Sequence, residues 1–191
     1  MPRRAVPLVP GQYYHFYNRG VNRGAIFFER ENYLYFIREL RRFLIPASDI
    51  IAYCLMPNHY HLLVQIHDDD FSHSMQLFGI SYTKAINKRY QRVGALFQGA
   101  FQSRHITRNE DLLNLSCYIH LNPVLAGLAG SSSEWEFSSY LEFTGDRPGK
   151  LPQPGIILNQ FPSPQAYVEF CQSGLVESAT HLTDLMIDDN D

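Results

Sequence analysis

Hydrophobic and polar positions follow two different periods along the first 125 residues of the chain. Short stretches that alternate between apolar and polar residues predict β-strands, and longer stretches with apolar residues three or four apart predict helices. The pattern predicts four strands, at residues 13–19, 49–57, 58–67 and 96–106. It predicts three helices, at residues 30–45, 71–91 and 109–122.

The order of these elements is βαββαβ followed by one more helix. The second and third strands are separated only by Met56-Pro57-Asn58, which is typical of a hairpin turn. This order predicts an α+β fold with a ferredoxin-like antiparallel sheet and an added C-terminal helix that carries candidate catalytic residues. In that layout the first and third strands lie at the centre of the sheet.

Composition changes after residue 127, where Gly, Ser and Pro become frequent. We therefore predict one domain over residues 1–145, followed at 146–191 by a Pro-rich linker and an acidic C-terminal tail. A short helix is expected at residues 165–175 within that second part.

The net charge of −3 is unevenly distributed. Residues 1–145 have 14 basic and 12 acidic side chains, a net charge of +2, whereas residues 146–191 have 2 and 7, a net charge of −5. Between residues 71 and 109 there are six basic residues and no acidic one. Local charge determines phosphate contacts, so this distribution is compatible with a nucleic-acid partner.

Several function classes are disfavoured by the composition. No apolar run approaches the roughly 20 residues of a membrane span, and no secretory signal follows the basic N-terminus. Cys54 and Cys117 lie in apolar segments, and no CxxC pair exists among the three cysteines. Unpaired core cysteines are typical of a reducing cytoplasm, which is the predicted location.

Two histidines, His59 and His61, lie one residue apart in the third predicted strand, "HYHLLVQI". Alternate residues of a strand share a face about 7 Å apart, so both imidazoles can reach one metal ion. Such pairs also occur by chance, as ordinary core or surface histidines. His67 has the same parity and precedes three aspartates, which is a second possible metal cluster or simply a charged turn.

The third helix supplies candidates for the rest of a metal site. Tyr118 and Asn122 are four residues apart and share one helix face. An amide oxygen of Asn122 would complete the site, and the Tyr118 hydroxyl would be a nucleophile for a phosphate ester. Imidazole and oxygen ligands suit Mg²⁺ or Mn²⁺, although imidazole also suits Zn²⁺. The competing interpretations are a core tyrosine and a helix C-cap at Asn122, since Pro123 is expected to end the helix there.

Taken together, these segments resemble a known family. "PNHYHLLV" is similar to the histidine–hydrophobic–histidine (HUH) motif, and "LFQGAFQSRHI" followed by "YIHLNPVLAGL" resembles single-tyrosine HUH transposases of the REP-associated group. "FYNRGVNRGAIFF" and "EWEFSSY" also fit that family. The resemblance covers about residues 10–143. It departs from the family pattern at Ala100, Leu125 and Phe137, where basic residues or tryptophan are usual.

The resemblance implies a ferredoxin-like nuclease that cuts single-stranded DNA near hairpins formed by repetitive extragenic palindromes. It implies that Tyr118 attacks the phosphate and becomes linked to its 5′ side, leaving a 3′ hydroxyl. By position it also implies that His59, His61 and Asn122 bind the metal, Mg²⁺ or Mn²⁺. Single-stranded or hairpin DNA is the expected partner, no membrane association is expected, and the oligomeric state is expected to be monomer or homodimer.

Candidate DNA-binding residues come from charge and spacing. Three cations recur every four residues on the second helix, two arginines flank glycines in "NRGVNRG", and two polar residues share a parity in the fourth strand. A solvated helix face and a mobile turn are the plainer interpretations of the first two groups. The predicted DNA-binding residues are Lys84, Lys88 and Arg92, then Arg19 and Arg23, then Gln98 and Arg104.

Three alternatives to a tyrosine nuclease stay open on the sequence. One is a nucleic-acid-binding protein on the same fold without catalytic turnover. Another is a metallohydrolase that activates water, with His59, His61 and His67 as ligands. The third is a ferredoxin-like interaction domain that binds no metal.

Overall fold

A four-stranded sheet forms the centre of the structure, with every strand antiparallel to its neighbours and the order β2-β3-β1-β4. This computed structural model describes residues 7–177 of the chain. The strands are β1 (Tyr13–Arg19), β2 (Ser48–Met56), β3 (His59–Ile66) and β4 (Gln102–Ile106). The predicted ferredoxin-like α+β fold is confirmed, and β1 and β3 occupy the two central positions.

Six α-helices accompany the sheet within the described residues. They are α1 (Arg30–Phe43), α2 (Phe71–Arg89), α3 (Asn109–Leu125), α4 (Tyr140–Thr144), α5 (Gly155–Leu158) and α6 (Pro164–Glu177). The longest of them, α2, buries a stripe of side chains at helical spacing. None of the helices in residues 7–177 is long and apolar enough to cross a membrane.

The two faces of the sheet pack against different helices, because side chains alternate along each strand. Even-numbered residues of β1 and β3, such as Phe16 and Leu62, belong to a core shared with α1 and α2. Odd-numbered residues of the same strands, such as Leu63, belong to a core shared with α3 and α6. We call these the α1/α2 face and the α3 face. The candidate metal-binding histidines are odd-numbered and lie on the α3 face.

Strand β4 is shorter than the sequence predicts. Regular pairing with β1 begins only at Gln102, because Gly99 has a φ of 147° and interrupts the extended backbone before it. A single bridge between Gly20 and Phe97 keeps the preceding segment close to the end of β1. The N-cap of α3 is Arg108, and Asn109 is the first helical residue.

Helix α3 continues through Pro123 to Leu125, so the prediction that it ends at Asn122 is wrong. Proline has no backbone N–H, so it cannot donate the usual helical hydrogen bond. Close to the last turn of a helix this loss affects few hydrogen bonds. The helix is closed just beyond its end by Gly127, whose φ of 68° is the left-handed conformation common after helices. Asn122 therefore keeps regular helical geometry relative to Tyr118.

Residues beyond 145 pack against the same domain for as far as the structure describes them. Leu151, Ile157 and Tyr167 are all buried, and Pro152 bridges Ile50 at the outer edge of β2. The segment predicted as a linker therefore contains packed helices. The division of the chain at residue 145 stays a prediction, and the acidic end lies outside the described residues.

The prediction of an unpaired core cysteine is wrong for Cys117. Cys117 in α3 and Cys171 in α6 form a disulfide with an S–S distance of 2.04 Å. Cys54 in β2 is a free, fully buried thiol, as expected for a small core residue, and burial raises its pKa. The last long helix is thus covalently joined to the helix that carries Tyr118, immediately before that tyrosine.

Candidate active site

The histidine pair lies at the start of β3, next to the hairpin turn from β2. His59 and His61 project from the α3 face, and their ring centroids are 5.0 Å apart. His61 is fully buried and His59 is partly exposed. The strand therefore places one imidazole in the interior and the other at the opening of the same site.

Helix α3 crosses this part of the sheet and brings the other two candidates to the histidines. Asn122 Oδ1 is 3.2 Å from His59 Nε2, and Asn122 Nδ2 is 3.3 Å from His61 Nε2. The Tyr118 ring packs edge-on against His61, with centroids 5.6 Å apart. Two residues of β3 and two of α3, at least 57 positions apart in the sequence, thus meet in one place.

The protonation of His59 follows from its other neighbour, Asn58. The Asn58 amide nitrogen donates to the Arg23 carbonyl, which turns the amide oxygen towards His59 Nδ1 at 2.7 Å. His59 must donate from Nδ1, so a neutral ring leaves a lone pair on Nε2. That lone pair faces the Asn122 oxygen, which is also an acceptor. Two acceptors at this separation require a proton or a metal cation between them.

These donor atoms fit a divalent cation. Metal–oxygen and metal–nitrogen bonds of about 2.1 Å in an octahedron place neighbouring ligands about 3 Å apart. The 3.2 Å between His59 Nε2 and Asn122 Oδ1 is of that size, and His61 Nε2 accepts from Asn122 Nδ2 at 3.3 Å, so that nitrogen also has a lone pair. Burial, with smaller effects from His15 and His59, lowers the pKa of His61 well below its usual range. The ring is therefore neutral, as a metal ligand must be.

His67, the third ligand of the metallohydrolase alternative, lies elsewhere. It follows the far end of β3, and its Nε2 is 3.1 Å from Asp49 Oδ2 in an exposed ion pair. Six residues of strand separate His67 from His61, which corresponds to about 20 Å. No group of three or more His, Cys, Asp or Glu side chains suited to a metal exists within residues 7–177. The candidate site has Asn122 as its third ligand, and asparagine is not one of these four residue types.

Comparison with known proteins decides the family. The profile of the family described as "Transposase IS200 like" matches residues 9–122, which is more than half of the chain and includes all four site residues. The chain belongs to the IS200-like transposase family. This is a family of enzymes, and the resemblance inferred from the motifs is confirmed.

Two relatives of the IS200-like family illustrate the similarity. A Haemophilus influenzae protein assigned as a REP-associated tyrosine transposase is 27% identical over 103 residues. That alignment spans 48% of this chain and 58% of the relative. A solved structure of a REP-associated tyrosine transposase bound to a REP hairpin superposes with a TM-score of 0.62 at 21% identity, covering 80% of this chain and 94% of that chain. The second comparison confirms the fold.

The predicted DNA-binding residues of this family member separate into two groups. Arg19 pairs with His59 across β1 and β3, and Arg104 pairs with His15 across β1 and β4, so both lie on the α3 face. The Arg19 guanidinium donates to the Gln98 side chain at 2.7 Å. These three residues surround one side of the candidate active site.

The second group lies away from the site. Lys84, Lys88 and Arg92 belong to α2 or directly follow it, on the α1/α2 face, and the Arg92 guanidinium lies 5.4 Å from the centre of the Phe28 ring. The structure does not bring these three cations to the histidine pair. Arg23 lies in between, in a left-handed turn whose carbonyl is held by Asn58.

Sequence reasoning missed His15, which contacts the candidate metal ligands directly. His15 lies in the middle of β1, is fully buried, and has Nε2 2.9 Å from His61 Nδ1. Burial, together with the positive charge of Arg104, lowers its pKa to about 3. The signal was available, because His15 has the parity of the α3 face once β1 and β3 are placed side by side.

A buried chain of hydrogen bonds, also missed, anchors the back of α3. His120 Nδ1 is 2.8 Å from the Tyr167 hydroxyl, which in turn donates to Ser116 Oγ at 3.2 Å. Ser116 donates its own proton to the Leu113 carbonyl. Because the Tyr167 hydroxyl donates its proton to Ser116, it must accept from His120. The His120 proton therefore lies on Nδ1.

The other end of this chain reaches β2. His120 Nε2 accepts from Ser139 Oγ at 2.8 Å, and Ser139 Oγ accepts from the Tyr53 backbone N–H at 2.9 Å. Burial lowers the pKa of His120 to about 3, so the ring stays neutral. We call Ser139, His120, Tyr167 and Ser116 the buried chain. It connects α3 to α6 and to β2 on the side of α3 opposite Tyr118 and Asn122.

Proposed function

We propose that this protein is a metal-dependent single-stranded DNA endonuclease and strand transferase that forms a 5′-phosphotyrosine intermediate at REP-type hairpin DNA. The observation that carries the proposal is that the Asn122 amide lies within 3.3 Å of Nε2 of both His59 and His61, with the Tyr118 ring against His61. Family membership supports transposition as the class of reaction.

The first chemical step exchanges one phosphodiester bond for another. The Tyr118 oxygen forms a bond to phosphorus as the bond from phosphorus to the 3′ oxygen breaks. The tyrosine loses its proton, and the departing oxygen ends as a 3′ hydroxyl. The downstream strand is left on Tyr118 through its 5′ phosphate, and no bond energy is lost to water.

The second step is the reverse reaction with a different strand. A 3′ hydroxyl from another DNA end attacks the phosphotyrosine, restores a phosphodiester and frees Tyr118. Because the covalent intermediate conserves the bond, no nucleotide cofactor is required. This makes strand transfer and simple cleavage alternative outcomes of one site.

Three residues would hold the metal, namely His59, His61 and Asn122. A bound Mg²⁺ or Mn²⁺ would supply Lewis-acid polarisation of the phosphate oxygens. The family is generally metal-dependent, and the choice of these two ions comes from the mixed nitrogen and oxygen ligands. Neutral imidazoles and the rigid packing of Asn122 on α3 would keep the ligands in place without the ion.

DNA contacts are proposed for both predicted groups of residues. Arg19, Gln98 and Arg104 lie on the α3 face and would hold the single strand that enters the site. Arg23, the α2 residues Lys84 and Lys88, and Arg92 just beyond α2 would contact phosphates further from the cleavage point. Hairpin DNA is proposed because the structurally similar transposase is bound to a REP hairpin. Cytoplasmic location and a monomeric or homodimeric state stay predictions.

The test is covalent capture of DNA by the tyrosine. Hairpin oligonucleotides with a single-stranded flank, labelled at the 5′ or the 3′ end, would be incubated with protein and Mn²⁺ and run on a denaturing protein gel. We expect a shifted protein band that carries only the 3′-end label. It should disappear with chelator and in Tyr118→Phe.

Tyr17→Phe is the matched control. Tyr17 also lies near His61, with ring centroids 6.3 Å apart, and is partly exposed on the same face. The adduct should persist in Tyr17→Phe. Cleavage that survives in Tyr118→Phe without an adduct would indicate a water nucleophile, and tight hairpin binding without cleavage would indicate a binding protein on this fold.

A further inference from the structure

His15 of β1 is hydrogen-bonded to His61, a candidate metal ligand in the neighbouring strand β3. Its Nε2 is 2.9 Å from His61 Nδ1, and the two rings stack with centroids 5.1 Å apart and planes 20° apart. Both rings are fully buried. The contact joins the two central strands of the sheet through side chains at the position where the metal site is built.

Counting protons along this pair gives a definite arrangement. His61 presents Nε2 to Asn122, so it would bind metal through that atom and must carry its proton on Nδ1. His61 Nδ1 then donates to His15 Nε2, and the proton of His15 lies on Nδ1. That nitrogen is buried and has no hydrogen-bond partner among residues 7–177.

The reverse arrangement excludes metal. If His15 donated from Nε2 to His61 Nδ1, then His61 would carry its proton on Nε2 and would have no lone pair for a cation. A leucine or phenylalanine at position 15 would pack equally well in a buried strand but would leave the His61 Nδ1–H without an acceptor. A buried donor without an acceptor destabilises the folded protein.

We propose that His15 is a positioning residue, which accepts the His61 Nδ1 proton and thereby fixes His61 as an Nε2 metal ligand in the orientation that meets Asn122. The role rests on the proposed function, since it presupposes the metal at His59, His61 and Asn122. Asn58, in the hairpin turn just before β3, does the same for His59. His15 differs because it ties the ligand to β1, the strand that also carries Arg19 opposite His59.

The test compares His15→Phe, which keeps an aromatic ring without an acceptor, with His15→Gln, whose amide oxygen can accept near the place of Nε2. Free Mn²⁺ would be counted by electron paramagnetic resonance during titration of the full chain without DNA. Outer partners of ligating histidines affect metal affinity about 10- to 100-fold. We expect a weakening of that size in His15→Phe and less than about threefold in His15→Gln.

Far-UV circular dichroism and hairpin DNA binding in chelator serve as checks that both variants are folded, and neither should change by much. Equal Mn²⁺ affinity in wild type and both variants overturns the role of His15 alone. Equal weakening in both folded variants overturns it too, since packing and not the hydrogen bond would be responsible. If the wild-type protein binds the hairpin but no Mn²⁺, the metal dependence in the proposed function is refuted. The proposed role of His15 is then refuted as well.

A measurement on the unaltered protein gives an independent answer. Two-bond ¹H–¹⁵N correlation spectra of ¹⁵N-labelled protein with Mg²⁺ report which ring nitrogen carries each proton. We expect protons on Nδ1 of both His15 and His61. A proton on His15 Nε2 in the Mg²⁺-bound protein overturns the proposal, whatever the variants show.

Discussion

Ser139→Ala removes one oxygen from the buried chain and tests whether that chain holds α3 in place. Ser139 Oγ accepts from the Tyr53 N–H and donates to His120 Nε2, at 2.9 and 2.8 Å. The side chain is fully buried, so water does not replace it. Alanine leaves one backbone donor and one imidazole acceptor without a partner.

The expected loss follows from these two groups. Each unsatisfied buried polar group costs about 1–3 kcal/mol, so the free energy of unfolding should fall by about 2–6 kcal/mol. The void left by a single oxygen adds little. A domain with a total stability of about 5–15 kcal/mol would lose a large part of it.

Urea unfolding gives the measurement, followed by far-UV circular dichroism and by the fluorescence of Trp135, the single tryptophan. The indole donates to the Leu55 carbonyl at 3.1 Å, so it reports on the edge of the sheet next to Ser139. Ser133→Ala is the control, since Ser133 is exposed and its replacement should cost less than about 0.5 kcal/mol. If the two variants unfolded at the same urea concentration, the reasoning about the buried chain would be refuted.

Three further predictions concern other parts of the molecule. Cys171→Ser should lower the free energy of unfolding by about 4 kcal/mol in non-reducing buffer, since the disulfide closes a loop of 54 residues, and the difference should vanish with dithiothreitol. Gly20→Ala should destabilise the fold because the added Cβ would lie 1.9 Å from the Gly24 carbonyl oxygen, whereas Gly79→Ala, in an open helical position, should stabilise it by about 0.5–1 kcal/mol in the same urea assay. Mn²⁺ at about 100 times its dissociation constant should stabilise the wild type by about 2.7 kcal/mol, and chelator or Asn122→Leu should abolish this gain, as measured by thermal unfolding.

The parts of the site that could be predicted obey local periodicity. His59 and His61 share a face because strand side chains alternate, and Tyr118 and Asn122 share a face because they are one helical turn apart. Element order then predicts a sheet with β1 and β3 at its centre. Strand alternation, helical spacing and the order of the elements are therefore enough to locate the four candidate residues.

Features that depend on long-range contacts could not be read from the sequence. A proline ends helices in most contexts, but α3 is buried continuously from Leu115 to Pro123 and passes through it. The partner of Cys117 lies 54 residues away in a helix expected to follow a loose linker. His15 is a single histidine among the aromatic residues of β1, and its contact with His61 can be recognised only in the folded sheet.

The placement of Tyr167 has a consequence for how the protein is made. Ribosomes synthesise the histidine pair first and Tyr118 and Asn122 later, and α6 follows last among the described helices. At about 5–20 residues per second, roughly 5–20 s pass between the synthesis of His61 and that of Tyr167. Throughout this interval the growing polypeptide contains His59 and His61 but lacks Tyr167, whose hydroxyl completes the buried chain behind α3. The hydrogen bonds that join α3 to α6 can therefore form only after Tyr167 has been synthesised.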